Sequence, residues 1–147
     1  MRMSLFGGMN ASASGLTVNR LRMDVVSANI ANAETTRGSL VDGEWVPYRR
    51  KVVELESFEQ RLHTAMGTRS VTTGVTVDRI KGDKTPFQQV FDPEHPDANE
   101  AGYVLMPNVD PLKEMVDLMS ATRSYEANVT AFNASKGMFM KALEIGK

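Results

Sequence analysis

From residue 115 onward the chain repeats apolar side chains every three and four positions without a break. Met115, Leu118, Thr122, Tyr125, Val129, Phe132, Lys136, Phe139 and Leu143 keep a strict 3-4-3-4 spacing. Seven of these nine are large apolar or aromatic residues, Thr122 and Lys136 being the exceptions. This spacing places all nine along one narrow stripe of an α-helix, the seam of a coiled coil. Another helix must cover that stripe or it faces water, so the pattern points to lengthwise packing against partners and to assembly rather than catalysis. Asp110 is a good N-cap, and Pro111 stands at the first helical position, where its missing N–H costs nothing. The helix is predicted to run about 35 residues, or ~52 Å, to Ile145, with Gly146 as its stop. Gly137 is its interior weak point, at ~1 kcal/mol relative to Ala.

A second helix is predicted over residues 9–33, ~37 Å long. Met9, Leu16, Met23 and Ile30 recur every seven residues, and Ala13 and Val26 extend the stripe. Ser12, Ser14, Asn19, Ser27, Asn29 and Asn32 fill much of the rest, so the apolar face is thin and suits close approach to another helix. Between the helices the pattern changes. Five of the six prolines lie in residues 34–108, and the sixth opens the C-terminal helix. Short β-like runs at 50–55, 71–80, 87–91 and 103–106 are separated by turn signals such as Gly82-Asp83 and Asp92-Pro93-Glu94-His95-Pro96. Residues 54–66 fit helical spacing through Leu55, Phe58, Leu62 and Met66, but read equally as an exposed insertion. The expected fold is therefore mainly α with a small β-rich insert, its long N- and C-terminal helices paired as an antiparallel coiled-coil-like hairpin. Its expected parts are 1–33, 34–108 and 109–147.

Chemistry is sparse. A chain of 147 residues supports one domain with a real core. A net charge of −1 creates no uniform field toward nucleic acid or an anionic membrane. The absence of cysteine excludes disulfides, thiolate catalysis and the usual structural zinc sites. No run reaches the ~18 apolar residues of a membrane span, and the first ten residues lack the apolar stretch of about 7–15 residues that marks a cleaved signal. Export would have to follow a route that does not read one. A nucleophilic enzyme needs an activated nucleophile beside a base, yet the histidines are His63, in the ambiguous segment, and His95, in a proline turn. No Gly-x-Ser-x-Gly elbow, phosphate-binding glycine loop or His-Glu-x-x-His occurs. A carboxylate pair could hide in space, but the chain reads as no enzyme, with no metal and no cofactor.

Three motifs invite sharper readings. With Asp97 at the first position of a calcium loop, Asn99 and Gly102 fall correctly, but Ala101 and Asn108 stand where a ligand and a bidentate Glu are required; a solvated turn fits better. Tyr48-Arg49-Arg50-Lys51 beside Trp45 lacks the further basic residues of a nucleic-acid face, and reads as a surface cluster or one that pairs with an acidic neighbouring subunit. Met106, Met115, Met119, Met138 and Met140 read as adaptable filler between helices.

Two segments carry a family resemblance. Ser27-Ala28-Asn29-Ile30-Ala31-Asn32-Ala33-Glu34-Thr35 resembles the signature at the end of the N-terminal helix of bacterial flagellar rod and hook proteins. Arg123-Ser124-Tyr125-Glu126-Ala127-Asn128 resembles the matching element of their C-terminal helix. The stretches 91–104, from Phe91-Asp92-Pro93 through Gly102-Tyr103-Val104, and 106–110, with Asn133-Ala134-Ser135-Lys136 and 141–146, resemble the proximal-rod members of that family. The likeness is weakest over 57–73, which reads as an insertion longer than the family's usual one. Its motif residues are Asn29, Ala31, Asn32, Thr35, Arg123, Tyr125 and Asn128.

The resemblance implies a structural subunit of the flagellar proximal rod, the periplasmic drive shaft that carries motor torque to the hook. It implies export by the flagellar type III system without a cleaved signal peptide, and terminal helices that pair and line the rod's inner tube. Implied partners are copies of the chain and neighbouring rod proteins of the FlgB, FlgF and FlgG types, with the rod-base/MS-ring junction protein and the export gate as further candidates. It implies no nucleic acid and no membrane insertion. Packing residues would be Met9, Leu16, Met23, Ile30, Met115, Leu118, Tyr125, Val129, Phe132, Phe139 and Leu143. Asn29 and Asn32 would end the first helix and set how the chain leaves the tube. Tyr125 would seek a polar partner, such as an Asn of the first helix, and Arg123 a neighbouring subunit. The competing reading is a soluble coiled-coil adaptor or chaperone outside any tubular assembly.

Overall fold

Residues 7–57 and 74–145 are described by the structure, a computed structural model. The expected insert, its ambiguous helical spacing beyond Ser57, His63 and the Gly146 stop lie outside them. Helix α1 spans Gly7–Ala31. Its last carbonyls are met by Asn32, whose backbone N–H (3.2 Å) and side-chain Nδ2 (2.8 Å) both donate to Ala28 O. Thr35 then closes on Asn32 through backbone and hydroxyl, and the chain leaves the helix in a fixed direction. Strands β1 (Ser39–Val41) and β2 (Glu44–Val46) form a tight hairpin in which Leu40 faces Trp45 and Ser39 faces Val46. Its turn residues, Asp42 (φ 52°) and Gly43 (φ 88°), are both left-handed. A two-residue turn needs this to match the strand twist.

Strand β3 (Lys51–Ser57) pairs with β4 (Val75–Gly82). Strands β5 (Gln88–Phe91) and β6 (Tyr103–Met106) pair antiparallel, with Phe91 opposite Tyr103 and Val90 opposite Val104. Helix α2 covers Pro111–Ile145. Asp110 caps it: Oδ1 accepts from the N–H groups of Leu112 (3.0 Å) and Lys113 (3.3 Å), two of the donors that a helix start leaves without a partner.

The chain divides into two compact units. One is drawn from Met1–Met23, Val53–Arg79 and Met119–Lys147, the other from Asp24–Val52 and Ile80–Leu118. In the first, Ser12, Val18 and Ala121 are buried. In the second, Val25, Val26, Val104, Pro107 and Val109 are buried, as are the polar side chains of Asn29 and Glu114. These are small cores for such long helices.

The expected fold class does not hold. Two helices of 25 and 35 residues flank three two-stranded sheets, and the helices do not form a coiled-coil-like hairpin. A coiled coil interlocks bulky a and d knobs from both helices. Here Met115 is 49 % exposed and Leu143 67 %. The most covered positions at this register of α2 fall one residue earlier, at Glu114 and Ala121, with Asn128 and Ser135 half-covered. Where the first unit brings α1 near α2, two of the α1 residues are glycines, and Met23 meets the Thr122 hydroxyl. A Cβ added to Gly15 would stand 2.9 Å from the Asn128 amide, and one added to Gly8 would stand 3.8 Å from the Ser135 hydroxyl. Small and polar residues thus occupy places that apolar knobs would fill, and the apolar stripe is nowhere fully buried, with Met115 and Leu143 exposed and its other apolar residues half-buried.

Candidate functional site

The most constrained group of side chains is a buried polar corner in the second unit. Asn29 comes from the last turns of α1 and has no exposure. Its Nδ2 donates to Lys51 O and to Glu114 Oε2, both at 2.9 Å. Its Oδ1 accepts from the Lys51 N–H at 2.9 Å and from the Tyr48 hydroxyl at 3.0 Å. A primary amide offers two donors and two acceptor positions, and all four are used. Asn29 therefore pins the end of α1 to the first residue of β3 as a strand neighbour would, through both backbone groups of Lys51.

Glu114 sits in the first turn of α2, where the positive end of the helix dipole favours a carboxylate. It too is fully buried. Its Oε1 accepts from Arg50 Nε (2.7 Å) and Nη2 (2.6 Å), a two-pronged charge-assisted contact. Arg50 reaches on to Asp83 (3.3 Å) and Asp117 (3.5 Å). Its backbone is held as well: the N–H donates to Asn108 Oδ1 (2.8 Å) and the carbonyl accepts from the Asp83 N–H (2.8 Å). Asn108 in turn donates to Thr85 O at 3.1 Å. One guanidinium and one amide thus join both helix ends, β3 and the loop after β4.

Titration follows from this packing. Burial works against the Arg50 cation, but the hydrogen bond and charge of Glu114, then of Asp83, outweigh it, and the pKa is raised. Burial, then the Glu114 charge, pushes the Tyr48 phenol up, so it stays a donor to Asn29 at neutral pH. Hydrogen bonds from Thr85, more than the pairing with Arg50, hold Asp83 below its ordinary range. A buried ion pair adds little net stability but fixes one arrangement, and removing either partner costs about 3–5 kcal/mol. The arrangement can hold three backbone segments in register. Among the described residues no group of His, Asp and Glu is placed to hold a metal ion.

The sequence-identified residues are distributed as follows. Asn29 lies in the corner, inside α1 rather than past its end. Asn32 and Thr35 form the helix-end turn described above, and Ala31 is exposed beside them. Tyr48, not Tyr125, supplies the hydroxyl to Asn29. Arg123 pairs with Glu126 on its own helix at 3.5 Å, both well exposed. Asn128 lies against Gly15. Met9, Leu16, Met23 and Ile30 are half-buried, as are Leu118, Tyr125, Val129, Phe132 and Phe139; Met115 and Leu143 are exposed. The Thr122 hydroxyl meets the Met23 sulfur at 3.5 Å. Sequence reasoning missed Glu114 and the inward role of Arg50. A signal was available: Glu114, Ala121, Asn128 and Ser135 recur every seven residues, as do Gly8, Gly15 and Asn29 in part, and a carboxylate in such a column needs a cation.

Comparison with known proteins places this corner in a family. Residues 9–37 match a family of flagella basal body rod proteins. Residues 100–145 match the C-terminal part of flagellar basal body rod FlgEFG proteins. The flagellar basal-body rod protein FlgC of Bacillus subtilis is 61 % identical over 150 residues, spanning 99 % of this chain and all of that protein. Those of Borreliella burgdorferi (42 %, 97 % of this chain and 98 % of that protein) and Salmonella typhimurium (37 %, 99 % and 100 %) are similar along their length. Two residues of the corner fall in these matches, Asn29 in the N-terminal one and Glu114 in the C-terminal one, while Tyr48, Arg50, Lys51 and Asp83 lie between them. With identities of this size over almost the whole of both sequences, the chain belongs to the FlgC family of flagellar basal-body rod proteins.

Proposed function

We propose that this chain is a structural subunit of the proximal rod of the bacterial flagellum. It polymerises through its terminal helices into a periplasm-spanning shaft that passes motor torque to the hook. The observation that carries this is the likeness to rod proteins along the full length, including both helices. The structure supports it with a surface that a free chain has no use for. Leu112, Met115, Val116 and Met119 are all exposed and follow i, i+3, i+4, i+7 spacing, which puts them on one side of α2. A stripe of this kind belongs against a neighbour. In this reading residues 1–33 and 109–147 contribute to an inner tube and residues 34–108 to its outer part. The polar corner then holds the junction between the two against torque, because a fully satisfied buried network has one geometry.

The finer assignments follow the same reading: contacts with copies of itself and with FlgB-, FlgF- and FlgG-type neighbours, export by the flagellar type III route, and no catalytic activity. The test is to locate the chain in purified basal bodies by cryo-electron microscopy. Density for both helices in an axial tube is expected. A small closed oligomer found away from basal bodies would refute the reading and favour a soluble adaptor.

A further inference from the structure

The basic run at 48–51 is divided by the fold. Arg50 turns inward to Glu114, whereas Arg49 and Lys51, with Lys81, line an open groove of about 970 Å³ in the second unit. Val25, Val41, Val46 and Ile80 form its apolar wall, and Asp24 is the one acid among its lining residues. Arg49 is held in place at this rim: its guanidinium lies 4.4 Å from the centre of the Phe87 ring and donates to Asp83 O at 2.8 Å.

The same unit carries a surface of opposite character. Between Lys84 and Lys113 the sequence contains no Lys or Arg and five acids, Asp92, Glu94, Asp97, Glu100 and Asp110. Asp97 is occupied by Arg37 at 2.6 Å, while Asp92, Glu94 and Glu100 are exposed around the β5–β6 connection. Beside them Phe91 and Tyr103 pack edge to face at 5.3 Å, yet Phe91 remains 64 % exposed. Gly102 is built for this packing, since a Cβ there would strike the Phe91 ring at 2.9 Å. An ordered, exposed aromatic pair inside an acidic rim has the composition of an interface anchor.

The β1–β2 hairpin separates the two surfaces. Ser39, Val41 and Val46 line the groove. Trp45 lies with Tyr103 and Leu105, on the face that Leu40 shares through its cross-strand pairing. Successive side chains of a strand point to opposite faces, so a chain's acidic end lies across the hairpin from its own groove. Complementary surfaces on opposite sides of one molecule make a head-to-tail contact that repeats without closing on a pair.

We propose that the β5–β6 end of one copy docks into the Arg49/Lys51/Lys81 groove of a second copy. Phe91 enters against the apolar wall, and Asp92, Glu94 and Glu100 face the basic rim. This rests on the subunit reading above, because an open head-to-tail contact is what a helical array requires. The chain has no cysteine, which makes a cross-linking test clean. Ser39→Cys marks the groove and Ala101→Cys the acidic end. The purified full-length double variant, oxidised with copper phenanthroline, is expected to give a ladder of dimers, trimers and larger species. The two single variants mixed should give dimers, at least tenfold more than either alone. Lys51→Glu with Lys81→Glu, or Asp92→Lys with Glu94→Lys and Glu100→Lys, should each cut the ladder at least tenfold. Combining both sets in one chain should restore it, which a folding defect cannot do.

No mixed dimer, a groove cysteine that pairs best with itself, or a ladder indifferent to charge reversal would overturn the docking. So would basal bodies that contain the double variant without copy-to-copy cross-links, or in which Ser39→Cys captures a different protein instead; the subunit reading would survive either. If the chain is missing from basal bodies the subunit reading fails, and the ladder from purified protein then decides the docking by itself.

Discussion

Replacing Asn29 by Asp exchanges one nitrogen for an oxygen at nearly constant shape in the middle of the buried corner. The Oδ1 contacts with the Lys51 N–H and the Tyr48 hydroxyl survive. The two donations from Nδ2, to Lys51 O and Glu114 Oε2, do not. Two carboxylate oxygens then face each other at the present 2.9 Å, where unit charges repel by about 6 kcal/mol at an effective dielectric of about 20. The penalty has a ceiling, because one carboxyl can take up a proton and donate to the other. For a group that ordinarily titrates near 4, this costs about 4 kcal/mol at pH 7 and about 1.5 kcal/mol at pH 5. The introduced pair has a folded-state pKa above its unfolded value, so the variant regains stability as pH falls and its deficit against the parent grows as pH rises. Urea unfolding of the full-length chain followed by fluorescence of Trp45, its one tryptophan, reads the unit that holds the corner. The proton accounts for about 4 kcal/mol of loss at pH 7, shrinking by roughly 1.4 kcal/mol per pH unit toward pH 5, and the Lys51 carbonyl left without its donor adds about 1–3 kcal/mol at both pH values. Adding Glu114→Gln should abolish that pH dependence, since one carboxylate then has no like-charged partner. A loss below about 1 kcal/mol at pH 7, or one equal at both pH values, would refute the sealed network.

Other positions give equally direct tests. Gly15→Ala forces a Cβ to within 2.9 Å of the Asn128 amide and should destabilise by about 1–3 kcal/mol, whereas Gly137→Ala meets nothing within 4 Å and should stabilise α2 by up to ~1 kcal/mol; thermal melts by circular dichroism compare the two. Asp97 is held below its ordinary 3.8 by Arg37 and Thr36, so its contribution is present above that value and lost as pH falls through the folded pKa. Asp97→Asn should lower Tm at pH 7, and the gap to the parent should close on acidification below pH 3.8. Phe132→Asp puts a charge on a half-buried position of α2 and should block rod assembly and motility while leaving synthesis intact; swimming assays with immunoblots check it, and motile cells would count against a packing role.

Local rules served well where the causes are local. The Asp110 cap and Pro111 start of α2, the strand composition of 103–106 and the turn chemistry around Asp92 all act within a few residues, and the backbone follows them. The family signature at 27–35 was legible for the same reason, as contiguous residues. Facing was harder. The heptad stripe lies on a helix, as its spacing predicts, but periodicity does not say which neighbour is present to cover it. Met115 and Leu143 are exposed, whereas Leu118, Tyr125, Val129, Phe132 and Phe139 on the same stripe are half-buried. Asn29 read as a helix stop because Asn often is one. Its actual partners, Lys51 and Glu114, stand 22 and 85 residues away, beyond the reach of any pattern in a window.

By itself the sequence determined that two long helices flank a proline-punctuated β-rich middle. Its heptad spacing also marked long apolar stripes on those helices. These follow from propensity, capping and composition, which each residue carries wherever it is placed. Only the tertiary structure decided that Arg50 turns inward while Arg49 and Lys51 stay on a groove, and that a fully satisfied amide ties α1 to β3 and α2. It also decided that Glu114 and Ala121, not the apolar seam, are fully buried positions of α2. Those outcomes depend on which distant groups meet in low dielectric, where an unpaired charge or amide is too costly to leave and each partner must be found in space.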